Sequence, residues 1–297
     1  MTSLPATSVA SGLLLVDKPG GITSHGAVAV ARRAMGTRKV GHAGTLDPMA
    51  TGLLILGVER ATRLLGHLAL HDKEYLATIR LGSRTVTDDA EGEILESAAP
   101  ELIDALTDSR IDQAMLAFTG HITQVPSAVS AIKVDGKRAY ARVRAGEDVE
   151  LSSRPVTVSR FIRTNVRRES GHLDIDVTVE CSTGTYVRAL ARDLGRALGV
   201  GGHLTMLRRT RIGAFRVDDA VALDSVGPVA LIPLAEAARA SFPTVVLSDV
   251  DADHVSHGRR ISLSCPEPTA LLSPSGQLLA IALSETERLR YLAVFVG

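Results

Sequence analysis

Tryptophan is absent from the sequence, and aromatic residues make up only 3% of its 297 positions. That scarcity argues against a nucleic-acid reader built as a sheet of exposed stacking platforms, which needs several rings on one face. Cysteine is nearly absent as well. Cys181 and Cys265 lie far apart and give neither a disulfide framework nor a CxxC metal pair, so a reducing cytoplasm is the expected home. Net charge is missing, since 33 Lys and Arg balance 33 Asp and Glu, and the overall balance announces no polyanionic partner. Long apolar runs are missing too: Leu13 to Val16 is too short for a signal core or a membrane span, and the opening MTSLPATSVASG has no basic stretch. The sequence shows no internal repeat.

What is present is a chain with 45% hydrophobic residues, long enough to bury a sizeable core in one large domain plus a small one. Its charges are locally segregated. Arg32, Arg33, Arg38 and Lys39 cluster without acids, as do Arg208, Arg209, Arg211 and Arg216, whereas Asp88 to Glu96 is acidic. A basic stripe on a neutral protein and a solvated charged face are both compatible with that pattern.

The most structured stretch is KVGHAGTLDPMATGLLILGVERAT, Lys39 to Thr62. Gly41 and Gly44 permit turns closed to residues with a Cβ, Pro48 removes a donor just after Asp47, and Gly52 opens the buried run Leu53 to Leu56. Asp47 is therefore either an Asx-turn aspartate in a tight loop or a reactive carboxylate held on one. A helix is expected from Glu59 to Leu70, and an alternating strand from Lys73 to Leu81 with Tyr75, Ala77, Ile79 and Leu81 on one face. Before the central stretch, a strand over Gly12 to Val16 breaks at Pro19-Gly20-Gly21, and Thr23 or Ser24 caps a helix to about Ala34.

Downstream, SRTVTDDAEG (Ser83 to Gly92) lacks calcium-loop spacing and reads as a solvated surface loop. Asp108 or Ser109 caps a helix with an Ile111, Met115, Phe118 stripe. An Asp135-Gly136 turn precedes a short basic helix with Lys137, Arg138, Arg142 and Arg144. Strands are expected over Pro155 to Arg163 and His172 to Glu180, and an amphipathic helix opens near Arg188 and ends at Gly199. Arg188 at a helix start is disfavoured by the dipole and needs an anionic partner. A strand pair follows to Phe215, and from about Pro243 short apolar runs between turns point to a small β-rich module.

GHAGTLDPMATG resembles the catalytic-loop signature of the TruB family of pseudouridine synthases, and the likeness extends through Lys18-Pro19-Gly20, YLATIRLG, QVPSAVSAIKVDGKRAYARVRAG, CSTGTYVRALARDLG and the LRR of HLTMLRRTRIGAF. The resemblance covers about residues 12 to 216. It implies an α+β fold: a pseudouridine synthase catalytic domain with a mixed, largely antiparallel sheet flanked by helices over residues 11–240, after a tail of residues 1–10 and before a PUA-like module at 241–297. It implies isomerisation of uridine-55 in the tRNA T-loop, in a stand-alone cytoplasmic enzyme that is monomeric and needs no guide RNA, metal, cofactor or membrane.

The resemblance also assigns roles. Asp47 is the expected nucleophile, and Arg188 pairs with it and orients it. Tyr75 removes the C5 proton and stacks on the base. His42 fills the space left by flipped bases, Tyr186 and Leu207 complete the pocket, and Arg208 and Arg209 face phosphate. Lys18, Pro19, Gly41, Gly44 and Thr45 support the loop. Three rivals stand beside this reading: a synthase acting on another RNA, including guide-directed types; a non-catalytic RNA-folding chaperone; and a phosphate- or dinucleotide-binding enzyme, which the lack of GxGxxG and Walker sequences disfavours.

Overall fold

Residues 9–127, 133–134, 137–138, 152–285 and 288–296 are described by a computed structural model. The chain divides into two compact units, one of residues 1–70 with 211–297 and one of residues 71–210.

In the first unit, strand Gly12–Lys18 runs antiparallel to Thr51–Val58, which in turn carries the short antiparallel strand Val40–Ala43. On its other side Gly12–Lys18 meets Val221–Ala222 in parallel, so the sheet is mixed. Leu53 to Leu56 are fully buried, which explains why this strand reads as a continuous apolar run rather than an alternating one. The helix Ser24–Met35 starts where Thr23 accepts a hydrogen bond from the Gly26 amide and stops at Gly36, whose φ of +64° suits a residue without Cβ. It turns Ala27, Val28, Ala31 and Met35 inward and leaves Arg32 and Arg33 exposed.

Two expectations need correction in this unit. Gly41 does not turn the chain: it lies within Val40–Ala43, opposite Gly57, and a Cβ there would come within 2.9 Å of the Leu65 side chain. The single helix expected over Glu59 to Leu70 is instead a 3-10 turn, Glu59–Arg63, followed by one α-helical turn, Leu65–Leu68.

The unit ends in a four-stranded sheet in the order Thr244–Val246, Thr269–Leu272, Leu278–Glu285, Arg288–Val294, with helix Asp249–Ser256 against it. Leu247, Val255, Cys265, Leu271, Leu279 and Ala280 form its core. Arg60 and Arg63 donate to the carbonyls of Phe295 and Val294, which ties this module to the 3-10 turn after the Thr51–Val58 strand.

The second unit is a sheet in the order Gly202–Ile212, Lys73–Leu81, His172–Cys181, Arg154–Glu169, Gly120–Gln124, running slightly past the unit boundary at its first strand. Its assigned pairs among the last four strands are antiparallel. Tyr75, Ala77, Ile79 and Leu81 are all buried on one face, as the alternation requires. The Arg154–Glu169 strand is longer than its apolar pattern suggests because two register shifts let it continue past Arg163 as an exposed ribbon. Its arginines are held there by acids: Arg163 by Asp108 and Asp112, and Arg167 by Asp176. Helix Asp108–Leu116 is capped by Thr107 rather than by Asp108 or Ser109.

Lys133–Val134 and Lys137–Arg138 pair as a short ladder, so the basic helix does not begin at Lys137. Its expected Arg142 and Arg144, and the Asp135-Gly136 turn, lie outside the described residues. Among the described residues no helix is long and apolar enough to cross a membrane.

Candidate functional site

The residues singled out from sequence fall into two groups, one in each unit. In the first unit the organising feature is the turn that carries Asp47. It opens at Gly44, whose φ of +82° is left-handed, and closes where the Ala50 amide donates to the Asp47 carbonyl at 3.1 Å. The turn is held from both sides of Asp47. On one side the Ser24 hydroxyl accepts from the Leu46 amide at 2.9 Å and donates to the Leu46 carbonyl at 3.0 Å. On the other, the Pro48 carbonyl accepts from the Gly21 amide at 2.8 Å and from the Lys18 ammonium at 3.3 Å.

Lys18 is 0% exposed, and its ammonium also donates to the carbonyls of Pro19 and Ile22, each at 2.8 Å. A buried ammonium needs such partners to offset its lost hydration. Their geometry fixes the Pro19 to Ile22 turn and the Asp47 turn against each other. The sequence Lys18-Pro19-Gly20-Gly21-Ile22-Thr23-Ser24 is thus one device: Lys18 and Gly21 hold Pro48, Thr23 caps a helix, and Ser24 at the start of that helix holds Leu46. Asp47 itself is half-buried, while Thr45 is exposed. His42 projects from the short strand beside the turn, and its ring meets that of His25 edge-on, centroids 5.2 Å apart at 83°.

In the second unit Arg188 stands in the first turn of helix Val187–Leu198, and the acidic run after Ser83 supplies it with an anion. Its Nη1 lies 3.2 Å from Asp89 Oδ2, with both side chains almost wholly buried, at 6% and 4% exposed. It also donates to the Thr87 carbonyl at 2.9 Å. The stretch expected to be a solvated loop is therefore partly interior: Ser83, Thr85 and Asp89 are buried, Ser83–Thr85 pairs with Ile94–Ser97, and the Thr85 hydroxyl donates to the Asp89 carbonyl at 2.7 Å. The usable signal was the conjunction of a helix-start arginine in need of an anion with an acidic run in need of a reason.

Gln124 is a second residue that nothing in the sequence marks. Its side-chain amide accepts from the Tyr186 amide at 2.8 Å and donates to the Tyr186 carbonyl at 3.1 Å, a two-point clamp on the residue that begins the Arg188 helix. The Tyr186 ring is half-buried and carries the Arg154 guanidinium 5.4 Å above its centroid.

Tyr75 and Leu207 are each 7% exposed. The two neighbouring arginines differ. Arg208 keeps part of its surface outside, whereas Arg209 is 1% exposed, because strand alternation sends it to the buried face. Arg209 is placed to act from within the protein rather than as a surface contact for phosphate.

Lys73, two residues before Tyr75 on the same face, is also buried and donates to the His71 carbonyl at 2.7 Å. Burial pushes its ammonium down to about 8, with Arg209 acting in the same direction. Below that value folded and unfolded chains are both protonated and the native state bears the full cost of burial. Between pH 8 and the ordinary lysine range the unfolded chain binds more protons, so stability rises with pH. Thermal melts from pH 8 to 10 should show a stabilising contribution that is absent from Lys73→Met, reaching about 2 to 3 kcal/mol at its fullest.

A family model described as the N-terminal domain of TruB family pseudouridylate synthase matches residues 32–187, and one described as the C-terminal domain of tRNA pseudouridylate synthase B matches residues 188–241. The chain is 56% identical over 283 residues to tRNA pseudouridine synthase B of Cutibacterium acnes, covering 94% of this chain and 95% of that protein. It is 52% identical over 297 residues to the protein of the same name from Streptomyces griseus, covering 97% and 98%. Among solved structures it is similar to a chain of a Cbf5-Nop10-Gar1 complex, with a TM-score of 0.72, 25% identity and coverage of 96% of this chain and 85% of that one. A chain of an H/ACA RNP bound to a substrate RNA containing 2'-deoxyuridine shares the fold at a TM-score of 0.70 and 24% identity, with coverage of 96% and 85%. With a family model spanning more than half of its length and relatives above 50% identity across nearly all of it, the chain belongs to the TruB family of pseudouridylate synthases.

Proposed function

We propose that this chain is a tRNA pseudouridine synthase that isomerises the uridine at position 55 of the T-loop, with Asp47 as its nucleophile. The observation that carries the reading is the Asp47 turn, pinned on one flank by Ser24 and on the other by Lys18, in a chain whose family is established. A carboxylate that must react in one direction needs its backbone fixed, and four hydrogen bonds to the two residues flanking Asp47 do that.

The reaction breaks the bond between uracil N1 and ribose, turns the base, and joins C5 to the same ribose carbon. N1 gains a proton and C5 loses one, so the change is an isomerisation without redox balance or external energy. An ionised carboxylate splits the hard step in two by holding an intermediate. In this reading Arg188 orients the Asp47 carboxylate, and Tyr75 takes the C5 proton, directly or through water. A uridine folded into the T-loop must be extruded at a cost of roughly a few kcal/mol. His42 fills the space, Tyr186 and Leu207 line the pocket, and Arg208 meets the backbone phosphates from its exposed face.

The enzyme works as a monomer in the cytoplasm, without guide RNA. Residues 11–240 make up the catalytic domain and 241–297 a PUA-like module. The experiment is to incubate the protein with an unmodified tRNA transcript, without metal, nucleotide or guide, and to map pseudouridine by carbodiimide-dependent stops in reverse transcription. A stop at the T-loop uridine is expected. Tight binding without a stop would favour the RNA-folding chaperone, and a stop on a different RNA would reassign the substrate.

A further inference from the structure

Two consecutive aspartates meet two arginines spaced one helical turn apart. Arg188 takes Asp89, and Arg192 Nη1 lies 3.3 Å from Asp88 Oδ2. Consecutive side chains on an extended backbone point to opposite sides, so two neighbouring carboxylates reach one helix face only if the chain twists between them. It does: Asp88 sits at φ +59°, the left-handed region that aspartate tolerates better than most residues. The twist is held by the Asp88 carbonyl, which accepts from the Leu204 amide at 3.0 Å, and by the carboxylate's own guanidinium partner.

Arg192 reaches a third segment as well. Its guanidinium donates to the carbonyl of Val125 at 2.7 Å and to that of Pro126 at 3.4 Å, while Asp193 takes its Nε and Nη2 at 2.8 and 3.1 Å. Val125 follows directly on Gln124, whose side chain clamps Tyr186. One guanidinium therefore joins the turn that presents Asp89 to Arg188, the strand end that holds Tyr186, and the helix that bears both.

We propose that the Asp88–Arg192 pair is a positioning element for the uridine reaction: Arg192 touches no substrate and sets Arg188 and Tyr186 in a single mutual geometry. The proposal rests on the reading of Arg188 and Tyr186 as residues of the reaction. The energetics of the pair favour such a role over simple stabilisation. Burial raises the Asp88 carboxyl above its ordinary range even with Arg192 and Arg188 beside it, and buried ion pairs commonly contribute little net stability. What a pair with this many fixed bonds does supply is orientation.

The test uses the full chain and an unmodified tRNA transcript, measuring the single-turnover rate constant, the end-point amplitude, tRNA affinity and the thermal melt for Arg192→Met, Arg192→Lys and Asp88→Asn. Asp88→Asn keeps a residue that accepts the left-handed conformation while removing the charge. The proposal expects the rate constant of Arg192→Met to fall by about 10- to 100-fold, the scale of an ångström of misplacement, at unchanged affinity and full amplitude. Arg192→Lys and Asp88→Asn should give intermediate rates. A wild-type rate constant in folded Arg192→Met overturns the proposal, as does a loss confined to amplitude or melting temperature. If Arg192→Met does not fold, Asp88→Asn decides by the same criteria. Asp47→Asn and Arg188→Lys run alongside: wild-type rates in these would sink the underlying reading, an outcome distinct from failure of the Arg192 variants alone.

Discussion

Asp47→Asn is expected to lower the single-turnover rate on the order of 10,000-fold or more, the scale seen when one member of a nucleophilic unit is removed. Binding of tRNA should be unchanged. The substitution is close to isosteric, and the turn is held by bonds to the backbone of Leu46 and Pro48 and by the Ala50 amide on the Asp47 carbonyl, none of which uses the Asp47 side chain. Measured by carbodiimide mapping on a quenched time course, retained activity in this variant would remove Asp47 from its role. Lost activity with lost binding would point to a collapsed turn, which the melting temperature would register separately.

A second large effect is expected where Arg188 meets Asp89. Asp89→Asn removes one partner of a pair whose side chains are 6% and 4% exposed, leaving buried charge under-compensated. Such losses cost about 3 to 5 kcal/mol, which for a chain of 297 residues corresponds to roughly 5 to 8 °C in melting temperature. The double variant Asp89→Leu with Arg188→Met replaces both charges with apolar side chains and should recover part of that stability, because neither charge of this buried pair remains. It should recover none of the isomerase activity. Denaturant melts and single-turnover rates on the same preparations separate the two properties. If the double variant is as unstable as Asp89→Asn, the pair is a genuine stabiliser; if it is active, Arg188 has no part in the chemistry.

The sequence disclosed those features that are local or periodic. Thr23 as a cap, the buried run from Leu53 to Leu56, the alternation from Tyr75 to Leu81 and the stop at Gly199 each depend on residues within a turn or two of one another, so spacing reveals them. The turn around Asp47 was marked locally by Gly44 and Pro48, but Lys18 lies 30 residues from the Pro48 carbonyl it holds, and only the family resemblance, not spacing, pointed to its supporting part. The partnerships that complete the site were not legible. Asp89 and Arg188 are far apart in sequence, and Asp88-Asp89-Ala90-Glu91-Gly92 has the composition of a solvated loop; only the left-handed twist at Asp88 turns its carboxylates inward. Gln124 is similarly ambiguous, because an amide side chain carries no mark of the backbone it will bind. Arg209 shows the converse error. Clustered arginines suggest a surface, yet strand alternation places Arg209 inside while its neighbour Arg208 keeps part of its surface outside.

Each compact unit contains one thiol, Cys181 in one and Cys265 in the other, and both are buried. Burial pushes Cys181 up to about 11 and raises Cys265 above its ordinary value. Since the thiolate is the reactive form, a disulfide reagent in neutral solution should find neither group until its surroundings open. The unaltered protein thus carries two built-in reporters. Their labelling rates, followed peptide by peptide in one sample, would give the opening free energies of the two units separately and show whether bound tRNA slows the opening of one, the other or both.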